Sequence, residues 1–171
     1  MEQGLVLVNT GPGKGKTTAA LGAALRAAGR GWPVFFLQFV KDRTTGEQLA
    51  LAGVPLIEFR RIGAGLILKA KDLEPHRRAA AEAMREAQAR AASGRYRLLV
   101  LDEICVALKH GLLELGEVLD FIHDRPRELS LILTGRDCPE VIMAAADAVT
   151  RMEEVKHHFA RGVKAREGIE Y

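Results

Sequence analysis

At 171 residues, 48% of them hydrophobic and 27% charged, the chain has the size and balance of one folded domain and not of a disordered segment. A net charge of +3 suits a polyanionic small molecule, and an aromatic content of 5% argues against a base-stacking nucleic-acid platform. No apolar run reaches the ~18–20 residues that span a bilayer, no signal-peptide pattern precedes the first strand, and two cysteines, Cys105 and Cys138, make no disulfide framework; no nucleic-acid partner, no membrane partner and a cytoplasmic location are therefore expected.

In chain order, short apolar runs alternate with longer helical stretches. This pattern predicts an α/β fold with a mostly parallel sheet in a single domain over 1–171, and the glycine-rich Thr10-Gly11-Pro12-Gly13-Lys14-Gly15-Lys16-Thr17 loop makes it a P-loop NTPase-like three-layer αβα sandwich. Leu5-Val6-Leu7-Val8 reads as a buried first strand, and residues 17–28 as an alanine-rich helix ended by Gly29-Arg30-Gly31. Pro33 opens a second strand over 34–39. A polar loop over 41–46 leads to a short helix, and residues 55–59 form a third strand. Residues 60–73 read as irregular. After Pro75 a charged helix runs to about Ser93-Gly94, with Arg78 and Glu82 at i,i+4 spacing. Residues 97–101 form the most strand-like run, ending at Asp102-Glu103. Helical segments through Asp124, a strand over 129–133, a turn at Thr134-Gly135-Arg136, a further strand and a polar, basic tail from Met152 complete the chain.

The strongest local signal is Thr10-Gly11-Pro12-Gly13-Lys14-Gly15-Lys16-Thr17-Thr18, between a strand and a helix. Glycines let backbone N–H groups curl around phosphate oxygens, and the following helix adds its positive dipole end. Lys16 supplies a point charge, and the Thr17 hydroxyl is suited to Mg²⁺. Thr10 stands where the usual G-x-x-x-x-G-K-[ST] pattern has glycine, so the loop is a variant. The plainer alternative is an ordinary glycine-rich turn. Asp102-Glu103, at the end of an apolar strand, resembles an acidic Walker B element, with either acid a candidate for the metal; the alternative is a pair of acids capping the helix that starts at Ile104.

No Ser/His/Asp arrangement is present in the sequence, and Cys105 and Cys138 lack an obvious activating partner and read as small core or loop residues. His76, His110 and His123 stand singly and read as solvated. Phosphate binding and a metal without an evident nucleophile leave two options. Either a phosphoryl group passes to an acceptor or to water, as in a small kinase or ATPase, or the nucleophile arrives with the substrate.

Taken together, several segments resemble the CobA/CobO/BtuR family of ATP:corrinoid adenosyltransferases. They include residues 10–20, Gln38-Phe39 with Gly46-Glu47, Leu101-Asp102-Glu103-Ile104, Leu133-Thr134-Gly135-Arg136, and the tail through Lys156-His157, Phe159, Gly162 and Gly168-Ile169-Glu170-Tyr171. The resemblance covers nearly the whole chain in order. It implies transfer of the 5′-deoxyadenosyl group of ATP to Co(I) of a corrinoid, with triphosphate leaving and with ATP held in reverse along the loop. It further implies Mg²⁺ or Mn²⁺, an electron-donating reductase and a homodimer.

Carried over onto this sequence, the nucleotide site comprises Thr10, Gly11, Gly13, Lys14, Gly15, Lys16, Thr17, Thr18 and Arg136, with Lys156 and His157 beside it. Lys16, Thr17 and Glu103 are the expected catalytic residues, and Thr17, Asp102 and Glu103 the expected metal-holding ones. A turn arginine at Arg136 and a charged surface segment at Lys156-His157 are the alternatives. Many family members carry Gly-Phe-Thr-Trp after the third strand, where this chain has Gly65-Leu66-Ile67-Leu68; Leu66 and Leu68 are thus the expected corrinoid contacts, without an aromatic face. His158 stands where proline is common, and the N-terminal extension of longer members is not present in this sequence.

Overall fold

The computed structural model describes residues 2–42, 44–65, 67 and 72–169. Six strands form one sheet: β1 (Val6–Thr10), β2 (Val34–Phe39), β3 (Ile57–Ile62), β4 (Leu98–Asp102), β5 (Ser130–Thr134) and β6 (Ala148–Arg151). Their order is β3-β2-β4-β5-β1-β6, and every pairing is parallel. The helices are α1 (Lys16–Gly29), α2 (Gly46–Leu51), α3 (Glu74–Ala92), α4 (Ile104–Lys109), α5 (Leu115–Asp124) and α6 (Glu140–Ala144), with a 3₁₀ turn at His158–Arg161.

A parallel sheet needs helices on both faces, so its inner strands are apolar without alternation. Every residue of β2 and of β4 is buried. On one face Phe35, Leu37, Leu99, Leu101 and Leu133 pack with α3, α4 and α5; on the other Phe36, Val34, Val100 and Ile132 meet Ala20, Leu21 and Ala24 of α1. The alanines of α1 let that helix lie close over the sheet.

Three sequence expectations change here. The third strand runs on to Ile62, through Arg60 and Arg61, where an irregular segment was expected. Because β3 is the sheet edge, its charges reach solvent, and Arg61 bonds Gln48 at 3.0 Å. His76 is not solvated but 7% exposed. It lies on the inward stripe of α3 with Ala80, Ala83, Met84, Ala87 and Ala91. The i,i+4 pair that closes on α3 is Glu86–Arg90 at 2.8 Å. Cys105 and Cys138 are both buried, as small core residues were expected to be, and the neighbouring Cys138 and burial push the Cys105 thiol well up, so it is no nucleophile.

Candidate nucleotide site

The phosphate loop and the acidic motif meet at the carboxyl ends of the strands, where open parallel sheets place ligands. β1 and β4 are separated by β5, and β5 supplies the link between them. Thr134, the last residue of β5, donates through its hydroxyl to Asp102 Oδ1 at 2.6 Å and accepts from the Glu103 backbone N–H at 2.9 Å. Thr17 Oγ1 donates to the same carboxylate oxygen at 2.9 Å, and Gln38 Nε2 donates to Asp102 Oδ2 at 2.8 Å. Asp102 is fully buried, and these three donors engage both of its oxygens. Its charge therefore orients Thr17 from behind.

Glu103 differs from its neighbour. It is the left-handed N-cap of α4, at φ 65, and its side chain faces the cavity in front of the loop. Burial and the adjacent Asp102 hold its carboxyl above the usual carboxylate range. That cavity, about 230 Å³, is lined by Gly13, Lys14, Gly15, Lys16, Thr17 and Thr18, with Lys41, Glu47, Glu103, Arg136 and Ile169 around them. Lys16, itself 8% exposed, donates to the carbonyls of Gly11, at 2.7 Å, and Gly13. Burial and the nearby Arg136 hold its ammonium below the ordinary lysine range. A desolvated cation ringed by backbone amides is a strong anion receptor.

The back of the loop is held by the segment after β6. Gly13 N–H donates to the Met152 carbonyl at 2.7 Å, and Met152 N–H donates to the Thr10 carbonyl at 2.8 Å. A Cβ on Gly13 would stand 2.7 Å from the Glu153 carbonyl oxygen, so this approach needs glycine. Thr10 and Gly11 stand behind the loop and not in the cavity: Thr10 Oγ1 accepts from the Cys138 N–H at 3.2 Å, and Gly11 offers its carbonyl to Lys16. The variant threonine thus ties the loop to the turn after β5.

Arg136 reaches both this cavity and a neighbouring one of about 340 Å³ that it shares with Glu154, His157, Phe159 and Ala160. His157 Nδ1 accepts from the Phe159 N–H at 3.1 Å, capping the 3₁₀ turn. Lys156 is exposed and lines neither cavity. Leu66 and Leu68 lie outside the described residues. A cavity of about 720 Å³ between α3 and α5 carries Glu117, Asp120 and Asp124 against the single cation Arg125, a charge unsuited to phosphate.

Lys41, Glu47 and Ile169 were not assigned to the site from sequence. Lys41 sits in the polar segment after β2 and Glu47 in the first turn of α2; the segment's length and lysine were visible but its direction was not. One oxygen of Glu47 is buried with no hydrogen-bond partner.

For a divalent cation, the oxygen set is Thr17 Oγ1, placed by Asp102, and the Glu103 carboxylate. Among the described residues no group of three His, Cys, Asp or Glu could hold a metal. This fits Mg²⁺, which takes few protein ligands and completes its shell with water and phosphate.

The model of the family described as ATP:corrinoid adenosyltransferase BtuR/CobO/CobP matches residues 2–171. This chain belongs to that family. It is 38% identical over 172 residues to a corrinoid adenosyltransferase of Pseudomonas aeruginosa, covering 99% of this chain and 85% of the relative. It is 36% identical over 170 residues to the corrinoid adenosyltransferase of Escherichia coli K12, covering 99% and 87%. The fold is also similar to that of the flagellar accessory protein FlaH from Methanocaldococcus jannaschii, with a TM-score of 0.58 at 11% identity, covering 88% of this chain and 72% of that one. The family is one of transferases acting on ATP and a corrinoid, so the α/β reading and the enzyme class stand. Among the described residues no helix is long and apolar enough to cross a membrane.

Proposed function

We propose that the chain transfers the 5′-deoxyadenosyl group of ATP to the Co(I) centre of a corrinoid, releasing triphosphate, in adenosylcobalamin biosynthesis or salvage. The observation that carries this reading is the composition of the cavity in front of the loop. It gathers Lys16, Lys41, Arg136 and the amides of the loop around a triphosphate-sized space, and its hydroxyls and carboxylates offer no activated protein nucleophile. A supernucleophilic cobalt supplied by the substrate removes the need for one.

The chain's own work is then to hold the nucleotide and receive the charge that grows on the leaving group. Lys16 exchanges its two loop carbonyls for phosphate oxygens. Asp102 holds Thr17 Oγ1 in place from behind, and Glu103 faces the cavity. When bound there, Mg²⁺ or Mn²⁺ neutralises charge on the triphosphate oxygens. Arg136 and His157, in the adjoining cavity, stand where the nucleoside end would lie. The reading takes from the family a homodimer, a cytoplasmic setting and a separate reductase that delivers the electron to cobalt.

One observation favours a second reading, phosphoryl transfer to water: Glu103 is held above the ordinary carboxylate range, as a general base would be. The products separate the two. With ATP, Mg²⁺ and chemically reduced cobalamin, the first reading expects a light-sensitive alkylcobalt spectrum and triphosphate. Steady ADP release without corrinoid would establish the second instead.

A further inference from the structure

Lys41 is aimed into the nucleotide cavity by a strained piece of backbone. Immediately after β2, the Lys41 N–H donates to the Phe39 carbonyl at 2.7 Å, closing a three-residue turn with Val40 at its centre. Val40 has φ 67. A β-branched side chain in the left-handed region is a genuine outlier, and a γ-turn of this hand is the strained one. Such strain persists only where the surroundings over-determine it, and it clusters at functional sites.

The surroundings do over-determine it. The chain leaving β3 lies directly on the turn: Gly65 N–H donates to the Val40 carbonyl at 2.9 Å. A Cβ on Gly63 would stand 2.4 Å from the Val40 carbonyl carbon and 2.6 Å from the Lys41 carbonyl oxygen. Only glycine permits that approach, and with it the turn cannot relax outward. The result is that Lys41 Nζ stands 3.9 Å from Asp102 Oδ2 and 4.0 Å from Glu103 Oε1, at the wall of the same cavity. Its side chain remains 38% exposed, so the head group is free to swing.

We propose that Lys41 is an exchange cation: it neutralises the Asp102–Glu103 pair while the cavity is empty, and turns to the triphosphate when a divalent cation at Thr17 and Glu103 takes over that role. This rests on the reading of the cavity as a metal–triphosphate site. Without nucleotide, two adjacent carboxylates, one of them fully buried, need a positive charge close by. With nucleotide and metal, a cation held by Thr17 Oγ1 and Glu103 would supply that positive charge beside both carboxylates. A lysine fixed at its Cα by the turn then faces the phosphate oxygens across the cavity. It becomes a further cation for the charge that accumulates on leaving triphosphate.

The exchange makes two affinities move in opposite directions, which a purely structural role would not do. The experiment compares the full-length parent with Lys41→Met, Lys41→Gln and Lys41→Arg. It measures Mn²⁺ binding without nucleotide by electron paramagnetic resonance and Mg²⁺–tripolyphosphate binding by calorimetry. With the lysine charge removed, Mn²⁺ should bind several-fold more tightly and tripolyphosphate about tenfold more weakly. Lys41→Arg should restore both toward the parent. Unchanged or weakened Mn²⁺ binding in both neutral variants, or undiminished tripolyphosphate binding, overturns the exchange. A parent that binds neither probe overturns the site reading itself. Circular dichroism verifies that each variant is folded, and Met and Gln provide two neutral replacements of different polarity.

Discussion

Lys16 and Asp102 show how one site asks opposite things of two charged residues. Lys16 is buried against two loop carbonyls, and its pKa lies below the ordinary value of 10.5. Below the folded value, where both states are protonated, the fold therefore carries the cost of a desolvated charge, a cost relieved as pH rises through the folded value. Lys16→Met should abolish protection of the chain by tripolyphosphate while leaving the thermal midpoint unchanged or higher; a large fall in Tm would contradict this. Asp102 is the reverse case. Its three donors come from α1, β2 and β5, and truncation leaves them facing nothing. Asp102→Ala should lower stability to urea by about 3 kcal/mol. Glu103, whose burial raises its pKa, should be lost at little or no cost in stability while activity disappears.

At the scale of the elements, the edge strand β3 is fastened to α3 and to the entry of β4 through one carboxylate. Glu58 on β3 accepts from the Tyr96 hydroxyl and pairs with Arg90 of α3 at 3.0 Å. Arg90 in turn pairs with Glu86 and lies 5.2 Å over the Phe35 ring. Burial and then the Glu58 hydrogen bond raise the Tyr96 pKa above 10.0. The stabilisation it brings is complete below that pH and is lost as pH climbs through the folded value. Tyr96→Phe should cost about 1 kcal/mol at pH 8. Comparing thermal unfolding at pH 8 and pH 11, the parent should lose more stability than the variant.

For the molecule as a whole, the phosphate loop depends on a segment far away in sequence. The backbone bonds between Met152 and the loop residues Thr10 and Gly13 come from the exit of β6, the C-terminal edge strand of the sheet. A chain ending at Arg151 keeps all six strands but loses that brace. It should keep its far-ultraviolet circular dichroism and lose most of its tripolyphosphate affinity. Full binding by the shortened chain would show the loop to be self-sufficient. The same dependence bears on Arg136 and His157, which share one cavity only because the chain after β6 returns past the turn after β5.

What the sequence settled by itself was local: a strand, a glycine loop and a helix around Lys16 and Thr17, an acidic pair at the end of a buried strand, and the parallel α/β class. These are conformations and periodicities that a short stretch of chain imposes on itself. Tertiary structure alone decided what each charge is for. Asp102 and Glu103 are identical in kind on the page, yet one is held by partners 85, 64 and 32 residues away and the other faces the cavity. His76 looked solvated because its helix is charged, and was buried because of which stripe faces the sheet. Arg60 and Arg61 looked like loop because charge is costly in a central strand, and became strand because β3 lies at the edge. Lys41 entered the site through a backbone twist at Val40 that no residue type announces. The physical reason is common to all four: burial and charge pairing depend on neighbours brought by the fold, and those neighbours are distant in the chain.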